Sequence, residues 1–101
     1  MNAKLADLNY LLSLSREMLE QAENAAWDEV SILEAKRREL LEAFFLAFVP
    51  ADINHEVSEV VRSILAIDQI ILELGQAEKL ELEESLMQID RGKKAIKAYS
   101  S

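Results

Sequence analysis

The sequence predicts an all-α protein: an antiparallel up-down-up bundle of three helices with few or no strands, its third helix long enough to overhang the other two. Three observations carry this. The 101 residues include only 2 Gly and 1 Pro, which leaves little material for turns and calls for a few long elements. Leu, Ala, Glu, Lys and Gln, all good helix formers, dominate, while β-branched residues occur singly or in pairs rather than in alternating runs. Apolar residues recur every three or four positions through most of the chain. One hundred and one residues suit one domain, residues 1–101, around a single core.

The first helix is expected over residues 3–23. Leu5, Leu8, Leu11, Leu12, Met18, Leu19, Ala22 and Ala26 fall in one arc, interrupted mainly by Ser15, with Asn9, Ser13, Arg16, Glu17 and Glu20 opposite. Asn2 is placed to cap its start. In the corner "ENAAWDEV", Asn24 is suited to the left-handed conformation that closes a helix, and Asp28 and Glu29 suit the positive start of the next. Trp27 there reads as an anchor for the hairpin.

The second helix is expected over residues 26–48, its stripe formed by Val30, Leu33, Leu40, Leu41, Phe44 and Phe48. Arg37 projects from that stripe, which calls for a packed aliphatic stem with the guanidinium at the rim, or for a partner carboxylate. Pro50 stops this helix, and Asp52 or Asn54 can cap the third, expected over residues 52–98. Val57, Val60, Ile64, Ile67, Ile71 and Leu74 form its stripe, which Leu82, Leu86, Ile89 and Ile96 continue with modest drift. Gly75 costs such a helix about 1 kcal/mol, which the flanking periodicity can absorb. At 1.5 Å per residue the third helix spans roughly 70 Å against about 30 Å for the others. Its second half, with Leu80, Leu82, Leu86, Met87, Ile89, Ile96 and Tyr99, is left uncovered and predicts either a homodimer or another protein partner.

Charge and motifs narrow the function. A net charge of −8 and a pI near 4.6 argue against nucleic acid and anionic membrane surfaces. There is no Cys, and no apolar run reaches the roughly 20 residues of a membrane span. The N-terminus lacks a signal-peptide pattern, so the expected location is the cytoplasm. His55, the sole histidine, reads as a surface residue of a helix start, and Glu78, Glu81, Glu83 and Glu84 read as a solvated face rather than a metal site. No phosphate loop, nucleophile elbow or zinc signature occurs; neither catalysis nor a cofactor is expected.

The stretch "LLSLSREMLEQAENAAWDEVSILEAKRRELLEAFF", residues 11–45, resembles the FliT family of flagellar export chaperones. The matching residues are Leu19, Ala22, Trp27, Asp28, Leu33, Glu34, Arg38, Leu40 and Leu41, with Asp68, Gln69, Ala98 and Tyr99 similar further on. The family often has Gly before the Trp turn, where this chain has Ala25 and Ala26. Better-known members continue into a fourth helix that folds back over the binding surface; with Ser101 the last residue here, autoinhibition by such a helix is not expected. The resemblance implies a chaperone that holds the C-terminal helical segment of the filament-cap protein until type III export. It also implies contacts with export-gate or ATPase components and, in some members, with the flagellar transcriptional activator. An export chaperone for a different secreted client and a non-enzymatic helical homodimer are the alternatives.

Phe44, Phe45 and Phe48 are all the phenylalanines of the chain. Leu40, Leu41, Phe44 and Phe48 continue the core stripe, whereas Phe45 and Leu46 project on the side of Arg38, Glu39 and Glu42. Phe45 and Leu46, with Val61, Leu65, Ile70 and Leu74 flanking the stripe of the third helix, are the candidate protein-binding residues.

Overall fold

A computed structural model of the chain describes the backbone of residues 3–100 and the side chains of residues 3–93. Three α-helices follow in order: α1 (Ala3–Glu23), α2 (Trp27–Leu46) and α3 (Asn54–Ser100), with a single 3-10 turn (Ala51–Ile53) leading into α3. The Asn2 cap and the side chains of Ile96 and Tyr99 lie outside the described residues. No strand occurs among the described residues. The expected up-down-up order holds, and α3 is unbroken at Gly75.

Helix α1 is the centre of the bundle, with α2 antiparallel and the first half of α3 parallel to it. Lying between two helices, α1 buries a wider arc than one packed on a single side. That is why Leu14, absent from the expected stripe, is buried beside Leu8, Leu11 and Met18. The core has two parts. Leu8, Leu11, Phe44, Val60 and Ile64 close the end near the α2–α3 connection, with Leu5, Leu12, Leu40, Leu41, Val49 and Val57 around them. Met18, Ala22 and Val30, with Trp27, Leu33, Ile71 and Leu74, close the other end. Ile53, in the 3-10 turn, is buried and plugs the corner. Each large apolar side chain buried in this way contributes about 1.5–3 kcal/mol.

Between the two parts lies a polar bridge. Arg37 is only 8% exposed. Its guanidinium donates to both carboxylate oxygens of Asp68, at 2.7 and 3.1 Å, and to the Ser15 hydroxyl at 3.0 Å. Ser15 in turn donates to the Leu11 carbonyl at 3.2 Å. The carboxylate anticipated for Arg37 therefore belongs to this chain, on α3, and the head group does not reach a free rim. Ser15, on the apolar side of α1, is the third member of a network that ties all three helices. A fork of five donors meeting a planar carboxylate fixes both distance and rotation between elements.

Both corners differ in detail from expectation. At the first, Ala25 rather than Asn24 takes the left-handed conformation, at φ 56°. The amide of Ala26 bonds the Gln21 carbonyl at 2.9 Å and that of Ala25 the Ala22 carbonyl at 3.0 Å, the paired closure of a Schellman motif. Asn24 instead sends its side-chain amide back to the Glu20 carbonyl at 3.0 Å. At the second, α2 ends at Leu46 and Ala47 is extended, at φ −83° and ψ 164°. The extended residue swings Phe48 out of the stripe, so that it is 84% exposed rather than core. Asn54 is already helical, following the 3-10 turn without a capping geometry of its own.

Along α3 the molecule measures 75 × 20 × 20 Å, with a radius of gyration of 20.8 Å, against about 13 Å for a compact chain of this length. The excess is the overhang. Residues 76–93 are exposed throughout, beyond the point where Trp27 of the α1–α2 corner meets Gly75. The Trp27 Nε1 donates to the Glu78 carboxylate and its ring lies 3.6 Å from where a Cβ at Gly75 would stand. The corner residue thus braces α3 at the foot of its free half.

Candidate protein-binding surface

The six candidate residues do not form one patch. Stepping 100° per residue along α3, Val61 and Leu65 lie on the edge that turns toward α2, beside Asp68. Leu65 is 62% exposed, and Val61 is half-buried. Leu72, which sequence reasoning did not single out, falls between them in phase and is also exposed. Its position seven residues beyond Leu65 and eleven beyond Val61 was the signal that could have found it. Ile70 and Leu74 lie on the opposite edge. Ile70 is exposed, whereas Leu74 packs against Met18, Ala22 and Val30.

On α2, Phe45 lies on the edge facing α3, in phase with Arg38 and with the ion-paired Glu34. It is about half exposed and meets the buried Phe44 ring edge to face, with centroids 5.1 Å apart. Half of Phe45 is thereby held by the core and half is offered to solvent. Leu46 is 88% exposed in the last position of α2 and turns away from that edge. With Phe48 it makes an apolar tip at the end of the bundle, another surface the sequence stripe concealed.

Phe45, Val61, Leu65 and Leu72 therefore share the α2–α3 rim, with Arg37 and Asp68 bridging beneath. Charges border this rim: Arg38, with its carboxylate partner Glu34, and the Arg62–Glu59 pair at 3.9 Å. Glu34 pushes the Arg38 guanidinium pKa up, chiefly through the hydrogen bond and then by its charge. A row of apolar side chains along α3, with Phe45 of α2 beside it and charges on the same edge of α2, suits the apolar face of an amphipathic helix.

A second concavity of about 300 Å³ opens between α1 and α2, lined by Lys4, Asp7, Tyr10, Leu11, Leu40 and Phe44 among others. Lys4 closes it, donating to the Phe44 carbonyl at 2.7 Å and lying 4.3 Å from the centre of the Phe44 ring. A lysine at the carbonyl end of α2 stabilises that helix terminus. Among the described residues, no three acidic or histidine side chains converge as metal ligands, and no helix is long and apolar enough to cross a membrane. His55 is exposed in the first turn of α3.

The family model for flagellar protein FliT matches residues 5–101, nearly the whole chain. The chain belongs to the FliT family. FliT proteins are flagellar export chaperones, and a three-helix protein with exposed apolar rows fits that class. Comparison with curated proteins and with solved structures found no match. Several residues that carried the resemblance have structural work in this fold. Asp68 holds Arg37, Trp27 braces the corner against α3, and Leu33, Leu40 and Leu41 pack on the two core clusters.

Proposed function

We propose that this FliT protein is a cytoplasmic type III export chaperone that holds the C-terminal helical segment of the flagellar filament-cap protein on its α2–α3 rim. The observation that carries the reading is the family match over residues 5–101, in a fold that leaves Phe45, Leu65 and Leu72 exposed on one edge. An amphipathic client helix laid along that rim buries its apolar face against a preformed surface, so only the client pays the ordering entropy. The chain's net charge of −8 attracts a basic segment and disfavours acidic partners. Export-gate or ATPase components and the flagellar transcriptional activator are further proposed partners of the loaded or free chaperone.

The test is co-purification with the C-terminal segment of the organism's own cap protein at micromolar concentrations, for the native chain and for Leu65→Glu. Binding by the native chain, lost in Leu65→Glu with an unchanged melting temperature, supports the reading. No binding by the native chain, with capture of another exported protein instead, replaces the cap protein by a different client. Ile70→Glu separates the two edges of α3, since it should leave cap binding intact.

A second reading concerns the overhang rather than the rim: the chain forms a homodimer through the free half of α3. Leu80, Leu82, Leu86, Met87 and Ile89 are each more than half exposed there, an extent of apolar surface that monomers seldom carry. The two readings use different surfaces and are compatible.

A further inference from the structure

The free half of α3 has a polarity that selects the orientation of a second copy. Residues 78–84 hold Glu78, Glu81, Glu83 and Glu84 against one Lys79. Residues 90–97 hold Arg91, Lys93, Lys94 and Lys97 against one Asp90. Both blocks belong to one unbroken helix, their centres about 20 Å apart along its axis. Side-by-side pairing in the same direction would set acid on acid and base on base. Pairing in opposite directions sets each acidic block on the other copy's basic block.

The apolar pattern accommodates the same geometry. Leu82, Leu86, Ile89 and Lys93 step by four, three and four residues, the spacing of a two-stranded helical seam, and all are exposed. In an antiparallel seam, knobs of one kind face knobs of the other across a two-fold axis. Leu86 of one copy then meets Ile89 of the other, twice, and the axis falls between residues 87 and 88. The midpoint of the two charge blocks also falls between residues 87 and 88. In that register Lys93 lands on Leu82 of the second copy, its ammonium beside the acidic block there. A lysine in an otherwise apolar seam thereby acquires a partner.

We infer that two copies of this chain pair antiparallel through residues 78–97 of α3, with the two-fold axis between Met87 and Gln88. The inference rests on the reading of the overhang as a self-interface and adds its direction and register. It places the last turns of each copy beside the α1–α2 corner of the other, over the notch lined by Trp27, Gly75, Glu78, Lys79 and Leu82. The two α2–α3 rims point outward at opposite ends and stay open for clients.

The chain has no cysteine, so disulfide trapping reads orientation directly. Leu82→Cys and Lys93→Cys chains are oxidised separately and as a mixture. Antiparallel pairing gives a cross-linked dimer in the mixture alone, because like positions lie about 16 Å apart along the seam, beyond disulfide reach. Cross-linking of each variant with itself means parallel pairing, and overturns the inference while leaving self-association standing. Sedimentation up to about 100 µM covers the remaining case. Monomer throughout overturns both the inference and the self-interface reading, and leaves client binding at the rim untouched. Leu86→Glu/Ile89→Glu should abolish dimerisation and Lys93→Glu weaken it at least tenfold, with the folded signal of dilute protein unchanged, since all three side chains are exposed in the monomer.

Discussion

A guanidinium taken out of water costs several kcal/mol unless every donor is met, and removing one partner of a buried pair is worse than removing both. Arg37 is met by Asp68 and Ser15, but the Asp68 side chain is about a third exposed, so water offsets part of any loss. Asp68→Ala should therefore destabilise by about 2 kcal/mol, lowering the melting temperature by roughly 10 °C. The pair Arg37→Met with Asp68→Leu should stay within about 1 kcal/mol of the native chain, because no buried charge is left behind. Thermal melts of the two variants check both values. Ala25 presents the opposite situation, a side chain where none is wanted. At φ 56° its Cβ strains the Schellman turn, and Ala25→Gly should raise stability by about 1 kcal/mol, measured by urea unfolding. Sequence reasoning saw Arg37 in the stripe and the left-handed turn near Asn24. It could not name Asp68 or Ala25, since one depends on which faces of α2 and α3 meet and the other on where the last turn of α1 closes.

Periodicity located the three helices and most of their buried faces, because Leu8, Leu11, Phe44, Val60 and Ile64 obey the spacing that burial imposes. It failed where the chain keeps apolar spacing after the helix has stopped. Phe48 continues the α2 rhythm on paper, yet the extended Ala47 sends it to solvent. Phe44→Ala should accordingly cost about 3–5 kcal/mol, whereas Phe48→Ala should change stability by less than about 0.5 kcal/mol. Denaturant midpoints of this pair decide whether α2 ends at Leu46. Helix α3 tests the other side of local preference. Gly75 has no left-handed backbone, and a Cβ there would make ordinary contact with Trp27 at 3.6 Å. Gly75→Ala should then stabilise by about 0.5–1 kcal/mol through helix propensity alone. A loss instead would mean that the Trp27 ring lies closer to α3 than this geometry allows. The candidate binding residues were legible only as apolar positions off the main stripe. Wheel phase put Leu74 both on the stripe and among the candidates; that the second core cluster takes it while Leu65 stays exposed depends on the central place of α1.

At the scale of the molecule, shape decides what residues and elements leave open. One protomer is a rod 75 Å long, and residues 76–93 of α3 are a bare arm. If two arms overlap antiparallel about residues 87 and 88, each protomer contributes the roughly 50 Å of α3 before that point, plus the few ångströms by which the bundle end exceeds it. The dimer then reaches about 110 Å, with a bundle at each end and a two-helix waist between. Parallel pairing would keep the length near that of the protomer and double the width, and a monomer would show neither change. Small-angle scattering measures this difference: a maximum dimension near 110 Å with a two-lobed distance distribution is expected. Adding client should thicken the lobes and leave the waist unchanged, since the rim carrying Phe45, Leu65 and Leu72 belongs to the bundles and not to the arm. A client that instead shortened the particle would have displaced the second copy, putting both ligands on the same stripe of α3.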